Sequence, residues 1–308
     1  MSIFLDVILL IVGFIFLTKG ADYFIENAAV FAEDKGITPH VVGVTIVAFG
    51  TSLPELLVSI ISSFQGYNDL ALGNIVGSNI SNIGLVLGTS CFIFFYFLKS
   101  NIVPDVDANN DSYVMLLAVI LLYIFAQDKT ISSAEGIIFF GLYIVYMVWL
   151  YQRSLKSDKD HIEQDNVSYP LLVGGLLGLL FGAQLTVDSA IGIATFMGIS
   201  EVVIGLSIVA IGTSLPELAG TVSAAKMGHK EIAVGNVIGS NIANIFLVMG
   251  ILAIIKPIFV DDLILLTTMP FLILITVATF GMIRVPMDRL SGTILFGFFA
   301  LFLYQLVI

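Results

Sequence analysis

The chain has 308 residues, of which 58% are hydrophobic and only 11% are charged, and its mean hydropathy is +1.06. This composition excludes an ordinary soluble globular protein and is typical of an integral membrane protein, whose main partner is the lipid bilayer. The formal net charge is −11 and no basic patch is present, so we expect no nucleic-acid partner. The sequence indicates no obligatory protein partner.

Ten apolar segments are long enough to cross a bilayer, which takes roughly 20 residues. We predict transmembrane helices at 3–31, 39–65, 69–98, 111–127, 134–152, 169–197, 201–227, 230–256, 260–282 and 289–308. The first segment lacks the basic region and cleavage site of a signal peptide, so we interpret it as a membrane helix. The single cysteine, Cys91, lies in an apolar run, and its being alone excludes an intrachain disulfide.

One strongly polar stretch divides the predicted helices into two groups of five. We predict a first five-helix repeat at 1–152, a cytoplasmic linker at 153–168 and a second repeat at 169–308. Because five is odd, the second group enters the membrane in the opposite orientation. The predicted fold class is therefore an all-α integral membrane protein made of two inverted five-helix repeats, with broken helices at a central ion site.

The basic residues are distributed unequally between the two sides of the predicted membrane. One side has only Lys129 and Lys256. The other side has nine basic residues: Lys35, Lys99, Arg153, Lys156, Lys159, Lys226, Lys230, Arg284 and Arg289. Because cytoplasmic loops are enriched in Lys and Arg, the second group is predicted to be cytoplasmic. We therefore expect a multi-pass protein of the cell (plasma) membrane with both termini extracellular.

A 48-residue segment occurs twice. Residues 41–88 and 203–250 align without a gap, and 25 of the 48 positions are identical. The identities include Gly, Pro, Thr, Ser, Asn and Glu, which are costly or unusual inside a bilayer. A duplicated polar, helix-breaking motif in a membrane protein predicts a symmetric substrate site.

Each copy contains the motif G-T-S-L-P-E, at 50–55 and at 212–217. Proline has no N–H, and its ring collides with the carbonyl four residues earlier. Carbonyl groups from Ala48 to Thr51, and from Ala210 to Thr213, are thereby released from the helix ladder. Because a free carbonyl is costly in hydrocarbon, a bound cation is one way to satisfy it.

The same motif supplies charged and hydroxyl oxygens. Thr51, Ser52 and Glu55 lie at i, i+1 and i+4, so one helical turn can direct all three side chains towards the released carbonyls. The second copy supplies the same residue types: Thr213, Ser214 and Glu217. Two carboxylates with several neutral oxygens match Ca²⁺, which takes about 6–8 oxygen ligands, and Na⁺ accepts the same ligands. No His or Cys lies nearby, which argues against Zn²⁺ or Cu⁺.

A second motif, G-N-x-x-G-S-N-x-x-N, follows in each copy. Its polar residues form a stripe along one helix face: Asn74, Ser78 and Asn82 in the first copy, and Asn236, Ser240 and Asn244 in the second. The pairs Gly73/Gly77 and Gly235/Gly239 allow close helix approach. A polar stripe can also be simple interhelical hydrogen bonding, and a proline kink can be structural. These alternatives stay open, above all for Asn74 and Asn236. They are disfavoured for the two glutamates, since a charged side chain at mid-membrane is costly.

Further acidic residues lie outside the repeated segment. Lys19, Asp22 and Glu26 are spaced to pair with one another in the cytoplasmic half of the first helix, and Asp188 is the repeat counterpart of Glu26. Anchoring at the membrane interface is the favoured role, and gating is the alternative.

The paired motifs resemble the alpha-repeats of the sodium/calcium exchanger family, in its prokaryotic form, within the cation/Ca²⁺ antiporter superfamily. The similarity spans both repeats, and the five-plus-five plan matches the whole chain. The resemblance implies alternating access, in which the first helices of each half slide across a fixed core. It implies Ca²⁺ and Na⁺ as transported ions and no organic cofactor. The implied ligands are Glu55 and Glu217, with Thr51, Ser52, Thr213, Ser214, the carbonyls of Ala48 and Ala210, Ser78, Asn82, Ser240 and Asn244.

The chain departs from parts of the superfamily at informative positions. Many members of the family that it resembles carry Asp at one or both of the positions held here by Asn82 and Asn244, and K⁺-dependent relatives especially resemble that acidic pattern. Asn at both positions leaves two formal charges, which disfavours K⁺ co-transport. The proton-coupled branch shows G-N-x-x-E, whereas this chain has Gly77-Ser78 and Gly239-Ser240 there.

These observations predict a secondary active antiporter that exchanges Na⁺ for Ca²⁺, with three Na⁺ per Ca²⁺. The alternative is an H⁺/Ca²⁺ or other cation/Ca²⁺ antiporter of the same superfamily. A passive channel is a further class, distinguished by flux without a counter-ion. The sequence has no H-E-x-x-H, G-x-S-x-G or P-loop pattern, so we expect neither an enzyme nor an ATP-driven pump.

Overall fold

The computed structural model describes residues 3–64, 68–154, 167–198 and 210–307, and these ranges are almost entirely helical. Twelve helices are numbered in chain order: α1 Ile3–Lys35, α2 Pro39–Thr51, α3 Leu53–Phe64, α4 Asn68–Tyr96, α5 Val106–Phe125, α6 Ser133–Ser154, α7 Tyr169–Phe196, α8 Ala210–Gly212, α9 Leu215–Met227, α10 Lys230–Ile255, α11 Ile264–Met282 and α12 Arg289–Val307. Four of them contain a π-helical segment: Gly43–Val47, Asn82–Leu87, Asn244–Met249 and Ile264–Thr268.

Seven of the described helices are long and apolar enough to cross a membrane, and the bent pair α2–α3 can form an eighth span. The protein therefore crosses the membrane several times. The predicted count of ten is not confirmed, because 201–209 of the predicted seventh helix lie outside the described residues. Residues 155–166 of the predicted linker also lie outside the described residues. Where both can be compared, most helix ends fall within a few residues of their predicted positions.

The start of α5 differs from the prediction, which placed it at residue 111. The helix begins at Val106, because the side chain of Asp105 accepts a hydrogen bond from the Ala108 backbone N–H at 2.6 Å and caps the first turn. The polar residues between the cap and residue 111 are therefore helical. Hydropathy alone placed them in a loop.

Helices α1 and α7, the first helices of the two halves, cross at very short distance. Any Cβ on Gly20 would collide with the backbone N of Leu179, and one on Gly182 would collide with the backbone N of Leu17. A Cβ on Gly13 would lie 3.2 Å from the Gly182 carbonyl, and one on Gly175 would lie 3.0 Å from the Gly20 carbonyl. Positions rise along one helix as they fall along the other, so the two helices run antiparallel.

The helix α2–α3 breaks at Ser52, as the G-T-S-L-P-E motif predicts. The axes of α2 and α3 meet at 42°, and Ser52 has φ −84° and ψ 6°. The second copy breaks in the same way, since Ser214 has φ −88° and ψ 6°. Both serines precede a Leu-Pro pair, whose proline cannot donate to the helix ladder. The repeated motif therefore produces a repeated local structure.

Short backbone pairings join the interhelical loops at two places. Strands β1 (Thr130–Ile131) and β2 (Ile258–Phe259) pair antiparallel, next to Lys129 and Lys256. The other pairing joins Ile102 to Met287, beyond the opposite end of α5. The two loops that contain few basic residues thus meet on one face of the protein. Two of the loops that contain many basic residues meet on the opposite face.

Candidate ion-binding site

The two glutamates of the repeated motif occupy equivalent, fully buried positions. Glu55 lies in the first turn of α3 and Glu217 in the first turn of α9, each directly after the break, and each side chain is 0% exposed. Burying a carboxylate is unfavourable unless other groups or a cation compensate the charge. The local structure of both copies therefore produces two buried acidic groups at the helix breaks.

Hydrogen bonds connect the break of the first half to the second half. Ser52 donates from Oγ to Oε1 of Glu217 at 2.9 Å. The Thr51 hydroxyl lies 3.1 Å from the Val47 carbonyl, 3.4 Å from the Ala48 carbonyl and 3.2 Å from Oδ1 of Asn236. The predicted residues of the first motif thus contact both α9 and α10.

Close packing of α10 on α2 brings the polar stripe of the second half to the same place. A Cβ on Gly239 would lie 2.6 Å from the Cα of Val44, so only glycine fits there. This approach places the Ser240 hydroxyl 3.5 Å from the Ala48 carbonyl. The predicted role of Gly239 in close packing is therefore seen. By the repeat, the equivalent partner of Gly77 falls within residues 201–209, which lie outside the described part of the chain.

Asn74 and Asn236 support the glutamate-bearing helices. Asn236 donates from Nδ2 to the Thr221 hydroxyl at 2.8 Å and to the carbonyl of Glu217 at 3.3 Å. Asn74 makes the equivalent bonds, to the Ser59 hydroxyl at 3.0 Å and to the carbonyl of Glu55 at 3.4 Å. Their amide nitrogens are used in positioning α3 and α9, which agrees with the structural alternative left open from the sequence.

Asn79 and Asn241, which the sequence analysis passed over, join the two halves. Asn79 donates to the Asn241 carbonyl at 3.2 Å, and Asn244 donates to Oδ1 of Asn79 at 3.0 Å. Both residues are repeated in the second motif, so their identity in the two copies was the available signal. Their position shows that α4 and α10 meet along the motif.

Buried polar atoms without a hydrogen-bond partner are concentrated in this region of the described chain. Those in the two repeated motifs are both carboxylate oxygens of Glu55, Oε2 of Glu217, the hydroxyls of Ser78, Thr213 and Ser214, both amide atoms of Asn82 and Oδ1 of Asn241 and of Asn244. Such atoms are costly in a protein interior. A hard cation compensates several of them at once, because it binds carboxylate, hydroxyl and amide oxygens together.

The side chains present fit a hard cation rather than a transition metal. Within the described ranges, no group of three or more His, Cys, Asp and Glu side chains is arranged to hold a metal. The oxygens around Glu55 and Glu217 are therefore mostly neutral, which suits Ca²⁺ and Na⁺. The side chain of Ala210 lies outside the description, and only its helical backbone is described.

A second buried polar group lies away from the glutamates. His40 is 0% exposed, and its Nε2 lies 2.7 Å from Oδ2 of Asp111, whose Oδ1 lies 3.5 Å from Nη1 of Arg153. The sequence motifs indicate no role for His40. No repeated motif marks this group.

Asp22 also differs from its predicted pairing. It accepts a hydrogen bond from the Ser223 hydroxyl of α9 at 2.7 Å, whereas Lys19 and Glu26 are exposed. Asp188 accepts a bond from Gln184 on its own helix at 2.8 Å. The spacing within α1 could not indicate a partner that lies 201 residues away.

A protein-family model matches almost the whole chain. The family model described as sodium/calcium exchanger protein matches residues 5–152 and 167–308. The sodium/calcium exchanger MaX1 of Methanosarcina acetivorans is 34% identical over 97% of both chains. The inner membrane protein YrbG of Escherichia coli is 33% identical over 83% of this chain and 81% of its own.

A solved structure also resembles the protein along most of its length. The sodium-calcium exchanger NCX_Mj, soaked with 2.5 mM Na⁺ and 0.1 mM Ca²⁺, superimposes with a TM-score of 0.85 at 32% sequence identity. The match covers 96% of this chain and 97% of that one. The agreement in fold thus accompanies the agreement in sequence.

Proposed function

Because the chain belongs to the sodium/calcium exchanger family, we propose that it is a secondary active antiporter that exchanges Na⁺ for Ca²⁺ across the cell membrane. Membership of this family supports exchange of Ca²⁺ for another cation. The observation that carries the proposal is the pair of fully buried carboxylates, Glu55 and Glu217, at equivalent helix breaks.

The proposed ligands are the oxygens that surround the two helix breaks. Glu55 and Glu217 are the central carboxylates. The remaining proposed ligands are the side chains of Thr51, Thr213, Ser52, Ser214, Ser78, Ser240, Asn82 and Asn244 and the carbonyls of Ala48 and Ala210. The contacts among Ser52, Glu217, Ser240 and the Ala48 carbonyl support this set.

Two ionised glutamates and one Ca²⁺ form a neutral site, and several Na⁺ ions can use the same oxygens. Binding of the two ions is then mutually exclusive, which antiport requires. Without a cation, the two carboxylates would be buried and uncompensated in a closed, water-free state, and this state is costly. The site therefore changes its side of access when loaded and resists doing so when empty, which limits leak.

We propose that the architecture is two inverted five-helix repeats, 1–152 and 169–308, joined by a cytoplasmic linker at 153–168. The antiparallel crossing of α1 and α7 supports this plan. The two loop pairings support the grouping of loops by basic residues, from which both termini are placed outside. In such a plan the first helices of the two halves move across the rest, giving alternating access.

We propose a stoichiometry of three Na⁺ per Ca²⁺ on energetic grounds. Moving Ca²⁺ out against a ten-thousandfold gradient costs about 5.5 kcal/mol, and moving its two charges against about 100 mV costs about 4.6 kcal/mol. Each Na⁺ that enters down a tenfold gradient and the same voltage returns about 3.7 kcal/mol. Two Na⁺ are insufficient, and three suffice.

Uptake of ⁴⁵Ca²⁺ into proteoliposomes tests the proposal. Vesicles are loaded with Na⁺, Li⁺, K⁺ or choline at the same pH inside and outside. We expect uptake with internal Na⁺ alone, and its loss in Glu55→Gln. Uptake that ignores Na⁺ at equal pH, and that follows a pH gradient imposed on a second set of vesicles, would instead establish an H⁺/Ca²⁺ antiporter. A reversal potential that fits two Na⁺ per Ca²⁺ would overturn the stoichiometry.

A further inference from the structure

Helices α3 and α9 are equivalent in sequence but differ in what covers them. Val58 and Ile61 on α3 are 36% and 54% exposed. Their counterparts on α9, Gly220 and Ser223, are buried. Helix α1 covers this face of α9, since a Cβ on Gly220 would lie 3.8 Å from Cδ1 of Ile25. One of two symmetry-related faces is therefore closed and the other is open.

The hydrogen bonds of the ion site show the same difference. Ser52 donates to Glu217, whereas the counterpart pair, Ser214 and Glu55, has no partner at either side chain within the described chain. The two copies of the motif therefore share the same backbone break but differ in their side-chain contacts.

Asn82 and Asn244, which occupy equivalent positions in the two copies, also differ in their hydrogen bonds. Asn244 donates to Asn79, whereas neither amide atom of the counterpart Asn82 has a partner in the part of the chain that is described. The polar contacts around Glu217 are thus made within the described chain, and the equivalent contacts around Glu55 are not. A transporter with alternating access would exchange these two arrangements between the halves.

One side-chain hydrogen bond connects α1 to the closed face. The Ser223 hydroxyl donates to Oδ1 of Asp22 at 2.7 Å, and Ser223 is 2% exposed. The repeat counterparts of Asp22 and Ser223 are Gln184 and Ile61, and isoleucine has no polar group to form the equivalent bond. The bond therefore stabilises only one of the two arrangements.

We propose that the Asp22–Ser223 bond is a latch that holds α1 over α9 and favours the state in which the face of α3 is open. Ser223 lies about 9 Å along α9 beyond Glu217, towards the end predicted to be cytoplasmic. The closed passage is thus the cytoplasmic one, and the open passage beside α3 is extracellular. The inference deepens the proposed alternating access and rests on it. It assigns Asp22 and Ser223 a positioning role in the transport cycle.

Accessibility of introduced cysteines tests the latch. Val58→Cys reports on the open face, and Ala219→Cys, at a partly buried position next to Gly220, reports on the covered side of α9. Each is made separately and labelled in proteoliposomes with a membrane-impermeant maleimide added on one side at a time. The parent protein, whose Cys91 is fully buried, serves as the blank. In the parent background we expect labelling at 58 from the extracellular side and little labelling at 219.

Adding Ser223→Ala should slow labelling at 58 and speed labelling at 219 from the cytoplasmic side. One lost hydrogen bond corresponds to a shift of the equilibrium by about fivefold. Ser223→Thr keeps the hydroxyl, and Glu26→Gln changes an exposed acid one turn along α1, so both should leave the rates unchanged. A merely structural role for Ser223 would not move the two reporters in opposite directions.

Two outcomes would overturn the latch. The first is that each reporter cysteine is labelled at the same rate with and without Ser223→Ala. The second is that Val58→Cys, with Ser223 in place, is not labelled from the extracellular side. Labelling requires no Na⁺ or Ca²⁺ gradient, so it is independent of which ion is coupled. Opposite shifts in the labelling rates at 58 and 219 would support the latch even if Na⁺-driven Ca²⁺ uptake were absent. The absence of that uptake would count against the proposed function alone.

Discussion

The Ser52 hydroxyl donates to Oε1 of Glu217 at 2.9 Å, although the two residues are 165 positions apart in the chain. Each belongs to a different copy of the same motif. The first copy therefore contributes a hydroxyl to the carboxylate of the second. Neither copy alone forms this contact, so the proposed site requires that the two halves pack together.

Glu55→Gln and Glu217→Gln should each abolish Ca²⁺ exchange without unfolding the protein. The amide keeps the size of the side chain and removes the charge that compensates the cation. Two measurements check this: ⁴⁵Ca²⁺ exchange in proteoliposomes, and the rise in melting temperature on adding Ca²⁺. Ligand at 100 times its Kd stabilises a protein by about 2.7 kcal/mol, and this gain should vanish in both variants.

Glu33→Gln is the matched control for these variants, because Glu33 is exposed near the end of α1. It should retain both exchange and Ca²⁺-dependent stabilisation. Normal Ca²⁺ turnover in either Glu55→Gln or Glu217→Gln would remove the central carboxylates from the mechanism.

Much of the site could be predicted because its residues are rare in membranes and occur twice. The proline in G-T-S-L-P-E predicts a break, and the structure breaks at Ser52 and Ser214 with nearly the same backbone angles. Hydropathy located most helices for a similar reason, since a bilayer imposes a minimum apolar length. These are local properties, which a sequence states directly.

Contacts between distant residues could not be predicted in the same way. The bond from Ser223 to Asp22 and the pair of His40 with Asp111 have no repeat and no fixed spacing. The π-helical segments were also not predicted, because their wider turns depend on how neighbouring helices pack. One such segment begins at Asn82 and another at Asn244. Tertiary packing decides all of these features.

Asn236→Ala should destabilise the protein by about 1–3 kcal/mol, because it removes the two buried hydrogen bonds that Nδ2 donates and leaves the Thr221 hydroxyl without a partner. Exchange should fall as well, since α9 carries Glu217. Thermal unfolding in detergent measures the first effect. Asn74→Ala is the matched comparison and should cost less, because Asn74 is only partly buried. An equal or larger loss at Asn74 would contradict this ranking.

Asp111→Ala should destabilise the protein by about 1–3 kcal/mol, because it removes the buried hydrogen-bond partner of His40 Nε2 and one of the two carboxylates beside Arg153. The side chain of Asp111 is 0% exposed, whereas that of Asp107, which also pairs with Arg153, is 24% exposed. Asp107→Ala should therefore cost much less. Denaturation midpoints of the two variants in the same detergent check the order, and similar midpoints would show that the buried group contributes little.

Asn82→Asp should raise the apparent affinity for Ca²⁺ and change the coupling to Na⁺ while transport continues. Both amide atoms of Asn82 lack a partner within the described chain, so a third carboxylate can point at the site without breaking a hydrogen bond. The counterpart change, Asn244→Asp, removes the N–H that bonds Asn79 at 3.0 Å and sets a carboxylate against its carbonyl oxygen. It should therefore also lower the melting temperature, because the lost hydrogen bond reduces the free energy of unfolding by about 1–2 kcal/mol. Ca²⁺ dependence of uptake and thermal unfolding separate the two effects. If Asn82→Asp has normal Ca²⁺ and Na⁺ dependence, Asn82 serves helix packing and belongs outside the ligand set.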